Sequence, residues 1–161
     1  MKLIDREGLR LSDLQAELFE KSVSNLEMSS EVFVRRFMNS DIAKEFDSGA
    51  FLNDSKTING VFLELDLQYG ITTYGSKKYH RDVMYWAGYL YRYFCYTYDL
   101  SSKQAYKMLP FKHVCSSFNA YHSLSVEHAI KRLLEEKGIS FEEKDILKKG
   151  VTVLRKIRMA H

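Results

Sequence analysis

Proline is nearly absent: Pro110 is the only one in 161 residues. The residue that most strongly breaks helices is therefore missing from almost the whole chain, and long helices are unobstructed. Cysteine is scarce as well. Cys95 and Cys115 form neither a Cys-x-x-Cys pair nor part of a four-cysteine set, which excludes a thioredoxin-type redox motif and a cysteine-rich zinc site. Each lies among apolar neighbours and reads as a small hydrophobe. No run reaches the roughly 18 apolar residues of a membrane span, so no spanning segment is expected. The start, Met1 to Leu11, carries Asp5 and Glu7 and lacks the apolar core of a secretory signal. A cytoplasmic protein is the expectation by elimination.

Catalytic patterns are missing too. Histidines 80, 113, 122, 128 and 161 give no His-x-x-x-His or His-Glu-x-x-His pair, so no metal site is expected. Gly70-Ile-Thr-Thr-Tyr-Gly75-Ser76-Lys77 resembles a phosphate loop but reverses the Lys-Ser order and follows a helix instead of a strand, which removes the nucleotide reading. His113 and Cys115 stand two apart on one predicted helix and point to different faces, so they form no nucleophile pair. No catalytic residue and no cofactor are expected.

What the chain has is aromatic rings and helical periodicity. Eleven Tyr and ten Phe accompany a single Trp. A chain of this length buries roughly 70% of its unfolded surface as one domain, and no linker or repeat divides residues 1–161. Ser12-x-x-Gln15 reads as a capping box opening a helix over 13–27. Ser29 or Ser30 caps a second helix bearing Val32, Phe33, Phe37 and Met38. A short turn of helix covers 41–46 and stops at Ser48-Gly49. Ser55 caps a helix to Tyr69 whose apolar set is Ile58, Val61, Phe62, Leu65 and Tyr69, with Gly70 as its stop. Residues 71–78 read as a loop. The segment 79–98, YHRDVMYWAGYLYRYFCYTY, is apolar on nearly every side and predicts a buried central helix. Ser101 or Ser102 starts a short helix ended by Pro110, a further helix covers 111–121, Ser125 caps an amphipathic helix to Lys137-Gly138, and a last helix begins at Ser140 with Leu147, Val151 and Leu154 inward. The expected architecture is all-α: a single-domain bundle of about six to eight helices around the 79–98 helix.

Net charge is +3, and it is uneven. Lys131–His161 holds nine basic and five acidic residues, hence +4 against −1 for the remainder. Glu142, Glu143 and Asp145 precede Arg155, Lys156 and Arg158, the order that a helix dipole favours. Two binding readings follow. A protein partner would be held by Arg35 and Arg36, beside Phe33 and Phe37, and by Arg92 with Tyr85, Tyr89 and Tyr96 on one helical face; aromatic and Arg side chains are the usual interface anchors. Arg92 is also open to a structural pairing with Asp82, Glu64 or Asp66, because a helix-embedded guanidinium needs a partner in order to fold. In the alternative reading, a helix-turn-helix-like C-terminal half meets DNA through Lys112, Ser116, Asn119, Lys148, Lys149 and Arg155.

Four stretches carry a family resemblance: Leu9-Arg-Leu-Ser-Asp-Leu-Gln-Ala-Glu-Leu-Phe-Glu20, Phe33-Val-Arg-Arg-Phe-Met-Asn-Ser40, Tyr85-Trp-Ala-Gly-Tyr-Leu-Tyr-Arg-Tyr93 and Ser101-Ser-Lys-Gln-Ala-Tyr-Lys-Met108. They resemble small bacterial proteins associated with toxin–antitoxin-type operons, whose neighbouring genes look like ADP-ribosyltransferase-like toxins. The resemblance covers most of the chain and implies an antitoxin or accessory role, with the product of a neighbouring gene as partner. It carries no catalytic residue over.

Overall fold

Asp5 starts the first helix in the computed structural model, which describes residues 1–141. Its carboxylate accepts the amide of Gly8 at 2.9 Å, and α1 runs Arg6–Asn25. The capping box expected at Ser12 is thus corrected. The Ser12 hydroxyl donates back to the Gly8 carbonyl at 2.8 Å inside the helix, and the Gln15 amide donates across to Gly88 O at 3.1 Å. Asp5 caps the helix earlier, and a carbonyl of the helix's own first turn and a tertiary partner claim the two side chains that local spacing had paired.

The remaining elements are α2 (Ser30–Met38), α3 (Asp41–Ser48), a 3-10 turn (Ala50–Asn53), α4 (Ile58–Tyr69), α5 (Arg81–Tyr98), α6 (Ser102–Met108), α7 (Phe111–Ser116), α8 (Phe118–Tyr121) and α9 (Val126–Glu136). The described residues form nine α-helices and no strand: the architecture is an all-α bundle. Ser29, Ser101 and Ser125 cap their helices as the sequence predicts, and Ser101 forms a complete capping box with Gln104. Thr57, not Ser55, caps α4. The single helix expected over 111–121 is split. Ser116 Oγ, Ser117 Oγ and Ser117 N all donate to the His113 carbonyl, and such side-chain competition for a helical carbonyl bends a helix. The last expected helix lies outside the described residues.

The core is built on α1 against α5, the most extensive helix pair. The close approach is made at Gly88: a Cβ there would stand 2.7 Å from Gln15 O, 2.8 Å from Phe19 Cγ and 3.0 Å from Ala16 Cα. Beside it runs a chain of rings. Phe19 meets Phe33 and Phe37 edge-on at 5.4 and 5.7 Å, Phe37 meets Phe46 at 5.4 Å, and Phe46 stacks on Phe51 at 4.3 Å. These are the offset and T-shaped geometries that ring quadrupoles favour.

The loop after α4 crosses the junction between α1 and α2. Tyr74 O accepts Ser29 N at 3.0 Å and Lys77 O accepts Ser30 N at 3.1 Å, which satisfies amides at the start of α2. Lys78 Nζ donates to Val23 O at 2.8 Å and also to Leu26 O, placing a cation at the negative end of α1. No helix among the described residues is long and apolar enough to cross a membrane.

Candidate protein-binding surface

Arg92 is 1% exposed. Its Nε donates to Gln15 Oε1 at 2.7 Å, Nη1 to Asp47 Oδ1 at 2.7 Å and Nη2 to Ser102 Oγ at 2.6 Å. The same Asp47 oxygen accepts Ser102 N at 3.0 Å and Ser102 Oγ at 2.5 Å, and the guanidinium lies 5.5 Å from the Phe46 ring centre. Arg92 therefore ties α1, α3, α5 and α6 together. The three carboxylates that the sequence offered are elsewhere: Asp82 lies 3.6 Å from His80, Glu64 is paired with Lys56 at 2.8 Å, and Asp66 borders a cleft with Asn25 and Leu63. The partner is Asp47, 45 residues away on α3. Arg92 follows Gly88 by one helical turn, so it stands on the ridge that α1 approaches. Its long stem turns inward there.

The three tyrosines that share its stripe part from it. Tyr85 is 39% exposed, Tyr89 stacks on Tyr93 at 6.2 Å, and Tyr96 donates to both oxygens of Asp5 at 2.6 and 2.7 Å with Lys2 over its ring at 3.9 Å. The hydrogen bond from Tyr96 holds the Asp5 carboxyl below its ordinary range, and the bond to Asp5 pushes the Tyr96 hydroxyl up to about 12. Both shifts favour neutral phenol against carboxylate. The Tyr96 contribution to stability is present below its usual value of 10.0 and is lost as pH climbs toward about 12; that of Asp5 is present above the ordinary carboxylate range and is lost as pH falls through its lowered value. Tyr96→Phe should accordingly remove one phenolate transition near pH 12 from the ultraviolet absorbance titration. If the titration curves of wild type and variant differ near pH 10 instead, the Asp5 pairing is wrong.

On α2 the two arginines diverge. Arg36 Nη1 donates to Gly70 O at 2.6 Å, with its guanidinium 5.4 Å from the Tyr69 ring, and so closes the C-terminal end of α4. Arg35 is exposed and, among the described residues, pairs with no carboxylate.

Sequence reasoning missed the outer side of α4. Val61, Phe62 and Leu65 are buried as expected, but Tyr69, expected with them, is 37% exposed at the helix end, and Leu63 is 65% exposed, Leu67 86%, Ile71 86% and Tyr74 73%. Leu63 and Leu67 stand four apart on one side of α4, and Ile71 and Tyr74 follow in the loop beyond Gly70, where the helix has ended. The signal was legible, since α4 carries leucines on both sides, but the inward set alone accounts for the helix. Single exposed apolar residues are ordinary, and several on one side of a helix and the loop after it form the kind of patch that calls for an explanation.

The residues of the nucleic-acid reading are scattered. The Lys112 side chain is 78% exposed and 3.9 Å from Glu31. Ser116 is turned to its own helix through His113 O. Asn119 sits on the four-residue α8, and α7 has only six residues. Lys148, Lys149 and Arg155 lie outside the described residues. Near α7, His113 Nε2 stands 2.7 Å from Glu136 Oε2, off the angle of a hydrogen bond, and Tyr121 donates to the other Glu136 oxygen. Cys115 and Cys95 are free, and burial pushes both thiols up to about 12, so neither is a nucleophile at neutral pH. Among the described residues no group of three or more His, Cys, Asp or Glu is placed to hold a metal ion.

No family model, curated protein or solved structure matches the chain.

Proposed function

We propose that the chain is a non-enzymatic protein-binding module and serves as the antitoxin or accessory component of a bacterial toxin–antitoxin-type operon, with the product of a neighbouring gene as its partner. The observation that carries the binding role is the exposed row Leu63, Leu67, Ile71 and Tyr74 along α4 and the loop after it. Rows of this kind are covered by another surface in the working state of a protein. The operon assignment rests on the resemblance of the four sequence stretches. Free thiols at Cys95 and Cys115 suit the reducing cytoplasm that goes with this role.

The test is capture. The tagged chain, co-expressed with the neighbouring gene product, should retain it through purification. Leu67→Glu should abolish retention while leaving stability within about 0.5 kcal/mol, as for exposed substitutions away from packed contacts. Retention by the variant equal to wild type removes α4 as the contact surface, and failure of the wild type to retain the neighbour overturns the operon assignment.

A further inference from the structure

A groove of about 350 Å³ opens between α2, α6 and α7, lined by Arg35, Tyr106, Lys107, Pro110, Phe111 and Lys112. Its floor is apolar. Phe111 is 4% exposed and is braced edge-on by Tyr79 at 5.4 Å, and Tyr106 leans on Tyr91 at 6.4 Å. Pro110, the only proline of the chain, fixes the backbone of the wall. The rim is cationic. Against Arg35, Lys107 and Lys112 stands one carboxylate, Glu31, and its nitrogen–oxygen separation from Lys112 is 3.9 Å. Arg35 and Lys107 have no ion-pair partner among the described residues. Burial raises the Tyr106 hydroxyl, and the charge of Arg35, which lines the same groove, draws it back down.

We infer that this groove takes an acidic segment of a partner protein, with an aromatic or large aliphatic side chain seated on Tyr106 and Pro110 above the buried Phe111 and flanking carboxylates against Arg35, Lys107 and Lys112. The inference rests on the reading of the chain as a protein-binding module and names the chemistry of the segment bound. Three features select that occupant. The volume is at the small end of the roughly 300–1,000 Å³ usual for ligand sites, room for one large side chain and its backbone, not for a folded element. The cations stand at the edge of an apolar floor, where a carboxylate beside a seated side chain meets them in bidentate or point-charge contact. A nucleic-acid strand fits less well: it needs a succession of exposed ring faces for stacking, while Tyr106 is the one aromatic ring lining the groove that is not buried, and Glu31 stands among the cations.

The experiment is a selection with the full chain against a displayed library of random peptides of about a dozen residues, followed by anisotropy titration of the synthetic consensus peptide. The expected consensus has two or more Asp or Glu around a Phe, Trp, Tyr or Leu. Arg35→Glu with Lys107→Glu should weaken that peptide more than about tenfold, raised salt should weaken it in the wild type, and Leu67→Glu should leave it unchanged. Enrichment of neutral or basic sequences, no enrichment at all, equal affinity of the double variant with an unchanged melt, or tighter binding of a labelled oligothymidylate than of the peptide would each overturn the assignment. Loss of neighbour capture with the peptide still bound strikes the operon reading alone. Capture retained without an acidic consensus strikes this one alone.

Discussion

Arg92→Ala should lower the melting temperature by roughly 6–20 °C, the equivalent of about 3–5 kcal/mol for breaking a buried ion pair in a domain of this size. The magnitude follows from what each partner would lose. Gln15 is 0% exposed and Ser102 1%, so neither can replace the guanidinium with bulk water, and an orphaned buried polar group costs about 1–3 kcal/mol. Asp47 is better placed, because its side chain is 19% exposed and it keeps the Ser102 amide and hydroxyl. The charge penalty alone is therefore the smaller share, and the cavity left by the stem adds to it. Arg92→Lys should recover little, since an ammonium is a single point where Gln15, Asp47 and Ser102 require a fork. Tyr89→Phe is the control: its ring stacking on Tyr93 survives, and its melt should match wild type. Thermal melts followed by circular dichroism decide the matter. An Arg92→Ala melt within about 2 °C of wild type would mean that the buried fork contributes less than about 1 kcal/mol, and Arg92 would have no structural role.

That network also shows where the sequence stops being informative. The identity of α5 as a central helix was legible from composition, because a segment with Met84, Leu90, Tyr91, Phe94 and Cys95 all buried must be apolar on most of its circumference. So were the caps at Ser29, Ser101 and Ser125, since a cap is decided within four residues. Ser12 and Gln15 have the same local pattern and a different fate: their partners come from their own helix interior and from a residue on another helix, Gly88, 73 positions away. The pairing of Arg92 with Asp47 fails for the same reason. Long-range partners depend on how helices cross, and nothing in the spacing of either residue encodes it. The proposed groove was legible in halves. Arg35 was singled out by its neighbours in sequence, while Tyr106, Pro110 and Phe111 gather beside it only because α6 and α7 fold back on α2.

The crossing of α1 and α5 yields the other large effect. Phe19→Ala should cost about 3–5 kcal/mol, the range for emptying a buried aromatic site, because Phe19 is 0% exposed and touches Phe33 and Phe37 together. Gly88→Ala acts on the same contact from the other side and sets two terms against each other. Replacing a mid-helix Gly by Ala gains about 1 kcal/mol in helix propensity, while overpacking costs about 1–3 kcal/mol. The neighbours decide which wins. Two of the three atoms that a methyl would meet are backbone, Gln15 O at 2.7 Å and Ala16 Cα at 3.0 Å, and they move only if the two helices part. Overpacking should sit near the top of its range, leaving Gly88→Ala about 1–2 kcal/mol less stable. In the double variant the third contact, Phe19 Cγ at 2.8 Å, is gone, and the new methyl fills part of the vacated space. The two losses should then fall short of adding by at least about 0.5 kcal/mol, as for residues in direct contact. Denaturant titrations of the wild type, both single variants and the double variant measure that coupling. Strict additivity, or a Gly88→Ala chain more stable than wild type, would mean that α1 and α5 do not meet backbone to backbone at Gly88.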